Sequence, residues 1–138
     1  MKDCGILIFF TLIILSMFYL YRMPGVCEFD PVLNKLIKDA IKIEPKSTNL
    51  EFFPSDESYT EDKQRVFLCL KDRNDKYYDY NHLIQVLVHE LAHAFSPIYD
   101  KDHTTPEFNN LHNKYRSIAI DNNLLNANDR VPDDYCKK

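Results

Sequence analysis

The stretch Leu87-Val88-His89-Glu90-Leu91-Ala92-His93-Ala94-Phe95 contains the pattern His-Glu-x-x-His, with two histidines four residues apart. Residues four apart lie on one face of an α-helix, one turn from each other. His89 and His93 can therefore present two imidazole nitrogens to one metal ion. Glu90 lies beside them, where its carboxylate can act as general base on a water molecule at the metal. The stretch predicts a zinc-binding active-site helix.

The surroundings of this pattern favour a buried helix. Apolar side chains border the polar residues: Leu83, Ile84, Val86, Leu87, Val88, Leu91, Ala92, Ala94 and Phe95. The alternatives are a chance match, or two histidines on a partly exposed helix face without a ligand. A carboxylate in an apolar helix is costly unless it has a partner. Glu90 therefore favours the metal site.

Two other helices are predicted from their start signals. Asp30-Pro31 begins a scaffold helix that ends near Ile43, and Thr105-Pro106 begins a last helix that ends near Asp121. The central helix is predicted from about Asn81 to Phe95, with Asp79 or Asn81 as its N-cap, and Pro97 stops its continuation.

The strands are fewer and shorter. The segment Arg65–Lys71 is the best strand candidate because it contains five apolar residues bounded by charge. Residues 50–53 form a weaker candidate, and the polar segment 54–64 is predicted as a loop. The fold class is therefore α+β: a small β-sheet packed on a central active-site helix, with two further helices.

The N-terminus contains an apolar segment of membrane length. Residues 5–21 carry no charge and would span about 25 Å as a helix. The flank at residues 22–27 lacks the small residues of a signal-peptide cleavage site, so an uncleaved anchor is favoured over a signal peptide. The predicted organisation is an anchor at 1–22, a linker at 23–29, a peptidase domain at 30–121 and a polar tail at 122–138, irregular or frayed. The protein is then a single-pass membrane protein, on an undetermined side.

Charge and cysteine content exclude some classes. The net charge is −4 and no basic run occurs, so nucleic acid is not indicated as a partner. None of the four cysteines forms a Cys-x-x-Cys motif, which argues against a cysteine zinc site. Cys27 and Cys136 could pair in an oxidising compartment, whereas Cys69 is expected to be a small core residue.

A catalytic zinc ion keeps three protein ligands and one open position, so one ligand is missing from the helix. His103, in the loop between the central and last helices, is the leading candidate. Glu107 and His112 on the last helix are the alternatives. His82 is two helical turns from His89, about 10 Å, too far for the same ion. Asp100 and Asp102 are interpreted as exposed loop acids.

The spacing of these residues carries a family resemblance. Ser96 and Tyr99 stand where the metzincin pattern requires glycine and histidine, so that class is disfavoured. The run HELAHAF, followed by His103 and then Pro106-Glu107-Phe108, resembles the SprT-like and WLM zinc metallopeptidases over about residues 60 to 120. The resemblance implies a small zincin-like α+β fold.

That resemblance also implies zinc on His89, His93 and His103, with catalysis by Glu90. Thr104-Thr105 replace the family's single glycine. The family's DNA-binding additions are absent, so its role in repairing DNA–protein crosslinks is not carried over.

The leading hypothesis is a membrane-tethered zinc endopeptidase that acts on a protein or peptide. The strand at 66–70 would hold an extended substrate by main-chain hydrogen bonds, and Tyr99 could assist the oxyanion. The alternative is a catalytically silent structural or interaction component of a membrane-associated assembly that retains the fold. The sequence does not indicate an oligomeric state.

Overall fold

Within residues 30–137, three α-helices and one three-stranded sheet make up an α+β architecture, as predicted. The computed structural model describes residues 30–137. The elements in chain order are α1 (Pro31–Ile43), a 3-10 helix (Pro45–Asn49), β1 (Glu51–Pro54), β2 (Tyr59–Glu61), β3 (Arg65–Leu68), α2 (Tyr80–Phe95) and α3 (Pro106–Asp121). The predicted anchor at 1–22 and linker at 23–29 lie outside the described residues. Within residues 30–137, no helix has the length and apolarity needed to cross a bilayer.

The helix starts follow the predicted capping chemistry. The Asp79 carboxylate accepts a hydrogen bond from the Asn81 amide at 2.9 Å, so Asp79 is the N-cap of α2. Thr105 caps α3 through the Phe108 amide, and proline occupies the first turn. These signals depend on neighbouring residues only, which is why the sequence places the helix starts to within a residue.

The sheet has the order β1-β3-β2, with β1 parallel and β2 antiparallel to β3. Val66 in β3 lies opposite Phe52 on one side and Thr60 on the other. The prediction of a loop over residues 54–64 is wrong at β2, because a three-residue polar edge strand has no apolar alternation to detect it. β3 is shorter than predicted: after Leu68, the Cys69 amide donates to the Ser58 hydroxyl instead of a strand.

The core is built around α2, which packs against α1, the sheet and α3. Leu87 and Leu91 of α2, Leu36 of α1 and Val66 of β3 are completely buried. Fully burying one such side chain stabilises the fold by about 1.5–3 kcal/mol. The packing of these apolar side chains therefore fixes the position of the helix that carries His89 and His93.

The segment after α3 packs as an irregular wrap. It contributes Leu125 to the core and ends in a disulfide between Cys69 and Cys136, whose Cα atoms are 6.3 Å apart. The pairing of Cys27 with Cys136 considered above is therefore wrong. Cys69 is buried as expected, but it is cross-linked. The Tyr135 hydroxyl donates to the Cys69 carbonyl at 2.6 Å, which ties the segment to the end of β3.

Candidate metal centre

Three histidine side chains converge at the surface of α2. The Nε2 atoms of His89 and His93 are 3.2 Å apart, and the Nε2 atom of His103 is 2.9 Å from that of His93. The three ligand atoms all lie within 4.8 Å of one another. The loop at residues 96–104 thus returns His103 to the helix that carries the other two histidines.

This geometry fits a metal ion held by three imidazoles. Zinc–nitrogen bonds of about 2.0–2.1 Å in a tetrahedral site put ligand nitrogens about 3.3 Å apart. The distances of 2.9 and 3.2 Å are close to that value. One nitrogen of a neutral imidazole carries a lone pair, and each of the three rings brings its Nε2 atom into the cluster.

The protonation of the histidines also suits metal binding. Burial, together with the neighbouring His93 and His103, lowers the pKa of His89 to about 4. Burial is also the main cause that lowers the pKa of His93. Neutral imidazole is the form that binds metals, so at neutral pH little free energy is needed to remove protons from these two rings.

The loop that carries His103 is held by a buried acid. The Asp100 carboxylate is 7% exposed and accepts hydrogen bonds from the Thr105 amide at 2.8 Å and the Thr105 hydroxyl at 2.7 Å. The backbone bond from Thr105 is the main cause that lowers the pKa of Asp100 to about 2. His103 has φ 57°, a left-handed conformation that costs free energy in a non-glycine residue. Asp100, interpreted above as an exposed acid, instead braces this conformation. Asp102 is exposed as expected.

Glu90 is buried beside the histidines, with 5% of its surface exposed. The Thr60 hydroxyl lies 2.8 Å from Glu90 Oε2 and 3.1 Å from the Glu90 carbonyl. Burial raises the pKa of Glu90 to about 7, and the hydrogen bond from Thr60 opposes that rise. Thr60 is not predicted from the sequence, because its segment has the polar composition of a loop and its partner is 30 residues away.

The other candidates lie at or beyond the edge of the centre. Glu107 is exposed at the start of α3 and is not in the three-nitrogen cluster. His112 packs its ring against His89, with centroids 5.7 Å apart, and is also outside the cluster. Phe108 is 2% exposed and forms an apolar base, with its ring centroid 4.5 Å from that of His93 and 5.0 Å from that of His103.

Two pockets open on either side of the centre, and both include Ser58, His89 and Glu90. The loop-side pocket, about 530 Å³, is also lined by Tyr59, Thr60, Asp62, Lys63, His93, Ile98, Tyr99, Asp100, Lys101 and His103. The tail-side pocket, about 370 Å³, is also lined by Gln85, Val86, Val88, His112, Arg116, Leu125, Val131 and Tyr135. Tyr99 is 82% exposed at the rim of the loop-side pocket.

Comparison with known proteins gives two short matches. The chain is 50% identical over 40 residues to uncharacterized protein 136R of Invertebrate iridescent virus 6, covering 27% of this chain and 22% of that protein. It is 47% identical over 47 residues to uncharacterized protein 042R of Invertebrate iridescent virus 3, covering 33% of this chain and 30% of that protein. The chain thus spans less than a third of the length of these relatives. No family model and no solved structure matches.

Proposed function

We propose that this protein is a membrane-anchored, zinc-dependent metallopeptidase with a zincin-like fold, similar to the SprT-like and WLM peptidases. The observation that carries the proposal is the convergence of three histidine nitrogens beside a buried carboxylate. His89, His93 and His103 would hold the zinc ion. Bound there, zinc would supply a Lewis acid that polarises a substrate carbonyl and lowers the pKa of a water molecule towards 7.

Glu90 is the proton carrier in this proposal. The Thr60 hydroxyl donates to Oε2 of Glu90 at 2.8 Å and so restrains the orientation of the carboxylate. Burial raises the pKa of Glu90 and so strengthens it as a base, which would let it accept a proton from the attacking water and then give it to the leaving amine. A carboxylate with the usual pKa of about 4.3 would accept that proton less readily.

The substrate strand would lie along β2 and not along β3. β3 is the central strand, with its main-chain groups paired to β1 and β2, so the sequence interpretation of residues 66–70 as the substrate-binding strand is wrong. Among residues 30–137, β2 pairs with β3 alone and leaves its other edge open, and Thr60 in that strand contacts Glu90. An extended peptide that pairs with such an edge has its backbone held in register, which supports a protein or peptide as the substrate.

The test uses the purified full-length chain. We expect about one bound zinc ion per molecule and cleavage of an unfolded, fluorescently labelled protein. Glu90→Gln should retain zinc and lower the cleavage rate at least 100-fold, because it removes the base without removing a ligand. His103→Ala should lose zinc, whereas Glu107→Ala, an exposed residue outside the cluster, should retain it.

The same experiment distinguishes a peptidase from the alternative function, that of a silent structural protein. Zinc bound by wild type and by Glu90→Gln, with cleavage by neither, would support a catalytically silent structural component. Membrane anchoring is tested separately, by resistance of the full chain to alkaline extraction from membranes. A lysine introduced at Ile14, in the middle of the apolar segment, should abolish that resistance.

A further inference from the structure

The tail-side pocket begins at the proposed catalytic carboxylate. His89 and Glu90 form part of its lining, and Ser58 and Tyr135 lie in the same wall. A peptide that passes Glu90 with its scissile bond at the centre therefore places a neighbouring side chain at the mouth of this pocket. Its volume of about 370 Å³ lies in the range of pockets that bind small ligands.

The pocket has a cation without an acidic partner. Arg116 lines it from α3 and is half-buried, and its Nη2 atom donates to the Ala127 carbonyl at 3.2 Å. Among residues 30–137, no carboxylate forms an ion pair with Arg116. His112 lies one turn earlier on the same helix and lines the pocket beside it. The guanidinium has further N–H donors in a fixed fork that matches a carboxylate.

The rest of the lining suits a short acidic side chain. Val86, Val88, Leu125 and Val131 give apolar walls along which methylene groups can pack. Glu90 is the sole acid among the lining residues of the described chain, and the proposed reaction uses it for proton transfer. The loop-side pocket differs, because Asp62 and Asp100 there accompany Lys63 and Lys101. Apart from the shared Glu90, the tail-side pocket therefore has one cation and no acid in its lining, whereas the loop-side pocket has two of each.

We propose that the tail-side pocket is a carboxylate-recognition subsite and that Arg116 determines its specificity. The inference rests on the proposed function, since it assigns a substrate class to that site. The carboxylate could belong to an aspartate or glutamate side chain within the substrate, or to the end of the substrate chain. Both sources present two oxygens to the guanidinium fork, and a charged hydrogen bond of this kind favours the acidic ligand about tenfold.

The test compares cleavage of matched peptides by the full-length zinc-loaded protein. One set carries Glu, Gln or Lys within the chain at each position that flanks the scissile bond. A second set of peptides ends at that position, with either a free C-terminal carboxylate or a C-terminal amide. We expect kcat/KM to be about tenfold higher for Glu than for Gln at one position, or for the free carboxylate than for the amide. The set that shows the preference identifies the source of the carboxylate.

Variants of Arg116 make the assignment specific. Arg116→Gln should abolish the preference while retaining cleavage of the Gln peptide, and Arg116→Glu should invert it in favour of Lys. Lys114→Gln, an exposed residue on the same helix with the same charge change, should retain the preference. Equal rates for Glu and Gln peptides in wild type, or a preference retained in Arg116→Gln, would overturn the proposal. Where Arg116→Gln unfolds the chain, Arg116→Lys should retain a reduced preference.

If the protein is not a peptidase, the carboxylate subsite can still be tested by peptide binding. If no peptide is cleaved, fluorescence anisotropy measures binding of the labelled Glu and Gln peptides to wild type and to Arg116→Gln. Tighter binding of the Glu peptide by wild type alone would support the carboxylate subsite in a silent protein. Equal binding of both peptides by both proteins would reject it.

Discussion

The two pockets that meet at Glu90 are held in place by different kinds of interaction. The wall of the loop-side pocket is a short segment closed on itself, since the Asp100 carboxylate binds Thr105 five residues later. The wall of the tail-side pocket includes Val131 and Tyr135, in a segment fixed by a cross-link over 67 residues and by the Tyr135 hydroxyl on the Cys69 carbonyl. One wall depends on local hydrogen bonds and the other on a distant covalent bond.

Because the two walls are held by different interactions, substitutions in them should affect different properties of the protein. The loop-side wall carries His103, so a change there acts on metal affinity. The segment that supplies Val131 and Tyr135 to the tail-side wall holds none of the three histidines, so a change there acts on stability and on peptide preference. The predictions below test whether the two walls behave independently.

The largest effect is expected from the cross-link. Cys136→Ser should lower the free energy of unfolding by about 2–4 kcal/mol, because a loop of 67 residues is no longer closed in the unfolded chain. Urea unfolding of the oxidised full-length chain measures it, with Cys27→Ser as the matched control that leaves the cross-link intact. Zinc affinity should change less than about threefold, and a large loss of zinc would show that the two walls are coupled.

The loop-side wall is tested through Asp100. Asp100→Ala should lower zinc affinity about 10- to 100-fold, because His103 then loses the brace that holds its left-handed conformation. Competition with a chromophoric chelator measures the affinity, and Asp102→Ala, an exposed acid in the same loop, is the control. Retention of the Glu-over-Gln preference is expected in zinc-loaded Asp100→Ala. Unchanged zinc affinity would mean that Asp100 does not position His103.

The part of the site that the sequence could predict is the part encoded locally. His89, Glu90 and His93 follow from helical spacing, and the caps Asp79 and Thr105 depend on residues within one turn. The position of His103 was inferred from the number of ligands that a catalytic zinc requires. The structure brings it to 2.9 Å from His93.

Two of the missed features depend on pairs of residues that are distant along the chain, and the third depends on how a loop folds. Thr60 contacts Glu90 across 30 residues, and its strand is too short and too polar to show a period. Cys69 and Cys136 are 67 residues apart, and spacing alone does not select one pairing among four cysteines. Asp100 is buried because the loop folds back over it, which a polar loop sequence does not indicate.

Glu90 lines both pockets, and its ionisation should change the free energy of unfolding by about 1–3 kcal/mol between low and high pH. Its pKa is about 7 in the folded chain and close to 4.5 when unfolded, so the unfolded chain releases the proton first as pH rises. Its contribution to stability is present below pH 4.5 and is lost as pH rises through 7. Metal-free Glu90→Gln should therefore be more stable than metal-free wild type at pH 8.

The difference between these two proteins should nearly disappear about one pH unit below 4.5, where Glu90 is protonated in both states. Urea unfolding in the presence of a chelator measures it at both pH values. The lowered pKa of His89 acts in the opposite direction, but it is present in both proteins and cancels in the comparison. Equal stabilities at pH 8 would show that Glu90 is not desolvated.

The smallest effect is expected at Thr60, which connects the edge strand of the loop-side pocket to the shared carboxylate. Thr60→Val removes a hydrogen bond that stabilises the ionised form of Glu90, so the pKa of Glu90 should rise further. The base must be ionised to accept a proton. As the pH is lowered, activity should therefore be lost at a higher pH in Thr60→Val than in wild type. Such a bond is worth about 1 kcal/mol, so the acidic limb of the kcat/KM profile should move up by about 0.7 of a pH unit.

Thr60→Ser provides the matched control, since it keeps the hydroxyl and should keep the wild-type profile. The Glu-over-Gln preference should be the same in all three proteins, because Thr60 lines the loop-side pocket and not the tail-side one. A profile that moves equally in Thr60→Ser and Thr60→Val would assign the effect to packing of β2 and not to the hydrogen bond. A changed peptide preference would mean that the edge strand also positions the substrate at the tail-side pocket, and that the two walls act as one.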